Sequence, residues 1–271
     1  MYSNFHAHTK YCDGSCTVEE MVRGAIDMGL DAFGLSGHAH TPGGWGEMTV
    51  ETTAQYVADI RAAQEKYAGW IELFCGIEQD FLSDLPTDGY DYVIGAVHTI
   101  TLPTGEEHNV DYIASESGRI VKEYFNGDFY SYIEEYYRLK ARVALQTKCD
   151  IVAHLDLVTK YNEGSRFFDE AHPRYRAAAI AAMEEILKTC NLFEVNTGAM
   201  FRVGNTNPYP APWLLRELLA RGGEVILSSD AHATKDGWIG YRFPEMEELL
   251  RAIGFKYRKT LTRSGFVDIK L

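Results

Sequence analysis

The chain has only eight prolines and five cysteines in 271 residues, and it is poor in basic side chains. An odd cysteine count (Cys12, Cys16, Cys75, Cys149 and Cys190) argues against a disulfide framework and for free thiols in a reducing compartment. Cys12 and Cys16 form a CxxxC pair with no second pair to complete a zinc site, so both are expected to be ordinary thiols near a site. No apolar run is long enough to span a bilayer, and the opening MYSNFHAHTK lacks the charged and apolar regions of a secretion signal. The expectations are a cytoplasmic location and no membrane partner. Lys and Arg number 26 against 39 Asp and Glu, a formal net charge of −13. Such a surface repels nucleic-acid backbones, whose binding depends on phosphate neutralisation, so no nucleic-acid partner is expected. A small anion in a local pocket remains compatible with it.

What is present is a core-forming fraction, 46 % apolar residues, in a chain of a length normal for one α/β barrel. No repeat, low-complexity tract or linker divides it, and residues 1–271 read as a single domain. Thr17-Val-Glu-Glu20 is a capping box that starts a helix running to Met28, with Gly29 as its stop. Short buried strands are predicted at Tyr2–Phe5, Ala32–Leu35, Ile71–Ile77, Tyr92–Val97, Ile151–Ala153, Leu192–Val195 and Glu224–Leu227. A glycine- and proline-bearing loop follows the second. Helices are predicted at Thr52–Tyr67, Phe129–Lys148, Arg174–Lys188, Pro212–Arg221 and Pro244–Ile253, and an outer strand or hairpin near Lys256–Leu261. Thr99–Asp128 reads as an irregular excursion with a helical segment near Ile113–Phe125, placed to cover one face. About seven β-then-α units imply a parallel sheet, closed or doubly wound.

The positions of the polar residues favour the closed form. His6 and His8 follow the first strand, with Asp13 in the same loop; His38 and His40 follow the second; Glu78 ends the third. His98 ends the fourth, His154 the fifth and Asn196 the sixth, while Asp230 and His232 follow the seventh. In a (β/α) barrel these ends converge on one face, where such enzymes place their chemistry. Imidazole and carboxylate ligands suit zinc, manganese or iron without any thiolate. A strand-end glutamate can bridge two ions, and bridged ions acidify the water between them. Singly each feature has a bland reading: an HxH pair is common, a strand-end His is often a satisfied polar residue, and Glu78 alone could be a cap. Six histidines and three carboxylates at corresponding strand ends are not explained that way.

These residues resemble the polymerase and histidinol phosphatase (PHP) family: His6-Ala-His8 with Asp13-Gly14, Gly37-His38, Gly95-Ala-Val-His98, Ser229-Asp230-Ala-His232, Glu78 in Gly-Ile-Glu, and His154. The segments from His154 to Lys160-Tyr161 and from Glu194-Val-Asn-Thr-Gly through Arg202 to Asn207-Pro-Tyr-Pro are similar to its stand-alone histidinol-phosphate phosphatases. The resemblance implies a distorted (β/α)7 TIM-like barrel holding three divalent metal ions. It implies one ion on His6, His8, Glu78 and Asp230, a second on Glu78, His98 and His154, and a third on Asp13, His38 and His232. Related chains can carry histidine in place of Asp13. The implied activity is phosphate-monoester hydrolysis of a small phosphorylated metabolite, L-histidinol phosphate first, with Glu78 and Asp230 catalytic. Lys160 and Arg202, after strands five and six, are expected to bind the phosphate, and His40 and His172 are candidate proton donors. The other readings are a phosphoesterase for a different small phosphate, an amidohydrolase-type barrel, and a non-catalytic metal-binding module.

Overall fold

A computed structural model describes residues 1–41, 44, 47–102 and 104–271. The glycine- and proline-bearing loop expected after the second strand includes residues 42, 43, 45 and 46, which lie outside the described residues. Seven parallel strands follow one another in space as they do in sequence: β1 (Ser3–Asn4), β2 (Ala32–Leu35), β3 (Glu72–Asp80), β4 (Tyr92–Ala96), then past a separate hairpin of β5 (Thr99–Thr101) and β6 (Glu107–Asn109), β7 (Ile151–Val152), β8 (Leu192–Asn196) and β9 (Glu224–Ser228). The outer hairpin predicted near residue 256 is β10 (Tyr257–Thr262) with β11 (Gly265–Lys270), and β10 extends the sheet beside β9.

The sheet curls until its ends meet, a distorted TIM-like barrel. At the top, an isolated bridge joins Ala7 to Ala231, with the His8 amide donating to the Ala231 carbonyl at 2.8 Å. At the bottom, β10 stands between β9 and β1, and the Thr260 and Ser3 hydroxyls meet at 2.7 Å.

Helices α1 (Val18–Asp27) and α2 (Val50–Lys66) follow β1 and β2, each opened by a capping box, at Thr17/Glu20 and Thr49/Thr52. No helix separates β3 from β4. The excursion is more ordered than its sequence suggests: beyond the β5–β6 hairpin, α3 (Ala114–Tyr124) occupies the predicted helical segment. The single helix expected over residues 129–148 is two, α4 (Phe129–Lys140) and α5 (Val143–Thr147), broken at Ala141–Arg142. The remaining helices are α6 (Pro173–Ile186), α7 (Gly198–Arg202), α8 (Pro212–Ala220) and α9 (Phe243–Ile253). Among the described residues no helix is long and apolar enough to cross a membrane.

The two-residue period of a strand sorts the interior into layers. Inward positions run from apolar at the bottom to polar at the top: Phe74, Gly76, Glu78 and Asp80 on β3; Tyr92, Ile94, Ala96 and then His98 on β4; Leu192, Glu194 and Asn196 on β8. The intervening residues, such as Leu73, Cys75 and Ile77 or Phe193 and Val195, join the outer core against the helices.

The lower layer is centred on Tyr92. Its hydroxyl donates to the Phe5 carbonyl at 2.6 Å, and its ring meets Phe5 edge-on at 5.7 Å. Gly34 and Gly76 leave room for it: a Cβ at Gly76 would lie 2.2 Å from Tyr92 Cζ, and one at Gly34 2.2 Å from its hydroxyl. Because the hydroxyl is tethered, the ring has nowhere to swing. Gly76→Ala is therefore expected to destabilise the fold by about 1–3 kcal/mol, the usual cost of overpacking a filled core. A denaturation midpoint equal to that of the unmodified protein would contradict this packing.

Candidate metal centre

The polar upper layer is a ring of imidazoles around one carboxylate. Strand alternation delivers Glu78 and His98 directly, whereas His6 and His154 come from a change of phase. Phe5 and Ala153 face inward in the lower layer, and His6 and His154 immediately after them face inward too. At β1 the shift is held locally by Asn4, whose side-chain oxygen accepts from the His6 amide at 3.1 Å. At β7 it is held by the Glu194 carboxylate, which accepts from the His154 amide at 2.5 Å. Lys140, wholly buried, donates to the preceding carbonyl of Ala153 at 2.8 Å.

Glu78, 1 % exposed, is the hub. Its Oε2 lies 3.2 Å from His6 Nε2, 3.6 Å from His8 Nε2 and 2.9 Å from His38 Nδ1. Its Oε1 lies 3.4 Å from His98 Nε2 and 3.1 Å from His154 Nε2. Asp230 Oδ1 is 3.1 Å from His8 Nε2 and 3.6 Å from His6 Nε2. Asp13 bridges the outer members, with Oδ2 3.0 Å from His232 Nε2 and Oδ1 3.6 Å from His38 Nε2. Three groups bring ligand atoms close enough to share an ion: His8, Asp13, His38 and His232; His6, His8 and Asp230; His38, Glu78 and His98.

The electrostatics follow from this crowding. Burial alone would raise the Glu78 carboxyl, but the charges of His6, His38 and His98 outweigh it and hold the group well below the usual range. Asp230 is depressed the same way, by Arg202 and His6 against burial. Burial disfavours charge on His6, yet Glu194, Glu78 and Asp230 raise it well above an ordinary imidazole. His8 is pushed down to about 3 by burial and by the neighbouring His232 and His38, which leaves it neutral. A neutral imidazole is the form that ligates a metal.

The chemistry of the donor set fits divalent transition-metal ions. His6 Nε2, His8 Nε2 and Glu78 Oε2 are buried and, among the described residues, lack a hydrogen-bond partner, and all three converge. Buried polar atoms left this way are costly, and coordination would satisfy them. The far side of two of the rings is meanwhile engaged by a carboxylate. His6 Nδ1 faces Glu194 Oε2 at 2.8 Å, and that carboxylate is fixed by Ser228 at 2.6 Å and Asn196 at 2.8 Å. His98 Nδ1 faces Asp80 Oδ2 at 3.1 Å. A carboxylate on Nδ1 keeps the proton there and turns the Nε2 lone pair inward. Asp80 carries no motif that marks it, and Glu194 opens a family-like segment without being singled out as a site residue; inward strand parity beside a histidine is the signal that could have found both.

A cavity of about 320 Å³ opens above the ring, lined by Asp13, His38 and Asp230 below and by Lys160, Arg202 and Tyr209 at the side. Glu107, Asn109, Asp111 and Tyr112 bring the excursion to its rim. Lys160 is buried, with Nζ 2.8 Å from Asp111 Oδ2, so it is not a solvated surface cation. Arg202 lies against the His232 imidazole, with its guanidinium over the Trp238 ring.

Two predicted proton donors are elsewhere. His40 turns into a different cavity, lined by Val50 and Val57 of α2 and by Leu85 and Pro86, because only His38 of that pair faces the barrel axis. His172 caps α6 through Nδ1, which accepts from the Arg174 amide at 3.2 Å, and its ring stacks on Tyr130 at 4.0 Å. Neither lines the metal-side cavity. His108, within the stretch that reads as an irregular excursion, is buried in β6 against Tyr132. Of the thiols, Cys12 lies 3.5 Å from His8 Nδ1, and burial pushes it up to about 11. It is a neutral thiol packed on a ring, in keeping with the reading of the CxxxC pair.

If Asp80 and Glu194 orient their histidines, Asp80→Asn and Glu194→Gln should each weaken metal affinity by roughly 10–100-fold. Competition with a chromophoric chelator measures this, and unaltered affinity in both variants would remove the role.

The PHP domain family model matches residues 4–198. A Deinococcus radiodurans protein named a probable histidinol-phosphatase is 29% identical over 272 residues, spanning 94% of this chain and 96% of that one. A Schizosaccharomyces pombe protein of the same name is 22% identical, spanning 87% and 82%. The crystal structure of histidinol phosphate phosphatase from Lactococcus lactis, complexed with Zn, L-histidinol and phosphate, superposes with a TM-score of 0.69 at 19% identity, covering 98% of each chain. With the family model spanning most of its length and the motif residues gathered into one buried centre, this chain belongs to the PHP domain family.

Proposed function

We propose that the protein is a metal-dependent phosphate-monoester hydrolase that converts L-histidinol phosphate and water to L-histidinol and phosphate, with residues 1–271 acting as one domain. The observation that carries the reading is the convergence of buried, unpartnered His6 Nε2, His8 Nε2 and Glu78 Oε2 beneath a polar cavity sized for a small metabolite. The names of the curated relatives, which match nearly the whole chain, support the substrate.

In this reading His6, His8, Glu78 and Asp230 would hold one ion, Glu78, His98 and His154 a second, and Asp13, His38 and His232 a third. The contacts of both Glu78 oxygens with different histidines support a bridging role. For the second ion, His38 stands closer to Glu78 than the assignment implies, at 2.9 Å. Zinc, manganese and iron are all compatible with nitrogen and oxygen donors. Bound ions would acidify water and neutralise phosphate oxygens.

The chain's own residues supply the rest. Arg202, whose Nη2 is 3.7 Å from Asp230 Oδ1, holds a fixed positive charge at the cavity wall, and a guanidinium there can take two phosphate oxygens at once. Lys160 adds a second cation on the same side. Glu194 and Asp80 keep the ligating rings aligned. Depressed carboxyls at Glu78 and Asp230 keep both groups anionic at neutral pH, as ligation requires.

Phosphate release should be rapid from L-histidinol phosphate with metal-replete protein, abolished after chelator treatment, and weaker from simple phosphate monoesters. Release only from other esters would replace the substrate, and no release from fully metallated protein would remove the phosphatase reading. Glu78→Gln should lower bound metal, measured by elemental analysis, and reduce turnover by roughly a hundredfold or more. Full metal content and activity in that variant would refute a bridging Glu78.

A further inference from the structure

Lys160 and Asp111 form an ion pair inside the cavity wall, with side chains only 10% and 17% exposed. Lys160 Nζ donates to Asp111 Oδ2 at 2.8 Å and to the Asp111 carbonyl at 2.9 Å. The loop that carries Asp111 has anchors besides this lysine. Tyr161 donates its hydroxyl proton toward the carbonyls of Asp111, at 2.9 Å, and Tyr112, at 2.7 Å. The Asp111 amide donates to Asn109 Oδ1 at 2.9 Å. The lysine backbone is pinned separately, its carbonyl accepting from Asn205 at 3.1 Å. The lysine can therefore swing on its flexible stem while the carboxylate stays where it is.

An entering phosphate dianion competes with Asp111 for Lys160. When Lys160 turns toward the phosphate, Asp111 becomes a partly buried anion beside a second anion. That arrangement is unfavourable unless a cation replaces the lysine. A plain phosphate ester brings no such cation. A substrate with a primary ammonium a short carbon chain from its phosphate brings both charges and re-forms two ion pairs from one.

We propose that Asp111 is a specificity-determining residue that binds the ammonium of an aminoalkyl phosphate, the substrate's phosphate and ammonium taking over Lys160 and Asp111 respectively. The inference rests on the phosphatase reading above and narrows its substrate class. L-Histidinol phosphate has the required amine.

The test compares kcat/KM for L-histidinol phosphate and its des-amino analogue, 3-(imidazol-4-yl)propyl phosphate, using metal-replete full-length protein. The unmodified protein should favour the amine by about tenfold to a hundredfold, the range of a charge-assisted hydrogen bond to a substrate group. Asp111→Asn should shrink that ratio to within about threefold of unity, chiefly by raising KM for the amine-bearing ester. Asp111→Glu, which keeps the charge, should recover part of it, and thermal melts confirm that both variants fold. A ratio unchanged in Asp111→Asn, or equal losses on both esters, would overturn the assignment and leave Asp111 as a loop support. Hydrolysis of neither ester by the unmodified protein would instead overturn the histidinol-phosphatase reading on which this inference rests.

Discussion

A carboxylate buried among five imidazoles governs the upper half of this barrel. Glu78 is nearly inaccessible, yet its two oxygens face His6, His8 and His38 on one side and His98 and His154 on the other. Ionised groups do not persist in such a place without partners, because desolvation outweighs anything that packing returns. Each strand end must therefore arrive at a defined height and angle, so that charges meet and lone pairs point inward. The closing bridge between Ala7 and Ala231 is part of the same requirement, since it brings His6 and His8 to Asp230 and His232.

The lower half carries that arrangement. Tyr92, Phe5 and Phe74 fill the barrel beneath the polar layer, and glycines at 34 and 76 make space for one large ring. An apolar floor keeps water from the underside of the centre, which strengthens every electrostatic contact above it. Glu194 and Asp80 occupy the boundary. Each is an inward strand residue just beneath or beside the ring, and each spends its oxygens on a histidine Nδ1 and a backbone amide.

The excursion between β4 and β7 lies at the rim of the cavity above this rigid centre. It reaches over the cavity as a short hairpin and helix, anchored by Tyr161 and Lys160. With a net charge of −13, attraction for a phosphate must be local, and in the proposed function it would come from Arg202, Lys160 and the bound ions at the cavity. The same wall presents acidic and amide groups to the cavity, from Glu107, Asn109 and Asp111.

Much of this was legible in the chain itself. Strand periodicity and capping boxes located most elements to within a few residues, because those signals depend on neighbours a few positions apart. The recurrence of His, Asp and Glu at strand ends implied a shared site, since a parallel barrel can only bring such ends together. Less was legible where a side chain's direction depends on distant partners. His40 shares a motif with His38 but turns toward α2, and His172 lies in a loop of the right face yet is used as a helix cap. The phase changes at His6 and His154 rest on Asn4 and on Glu194, the latter 40 residues from the amide it holds. Composition, period and spacing determined the barrel and the identity of the clustered residues. Tertiary structure alone decided which carboxylates would orient the histidines, that Lys160 would face Asp111, and where the ring would leave lone pairs unmet. Those outcomes are set by contacts between segments far apart in sequence, and no local pattern encodes such contacts.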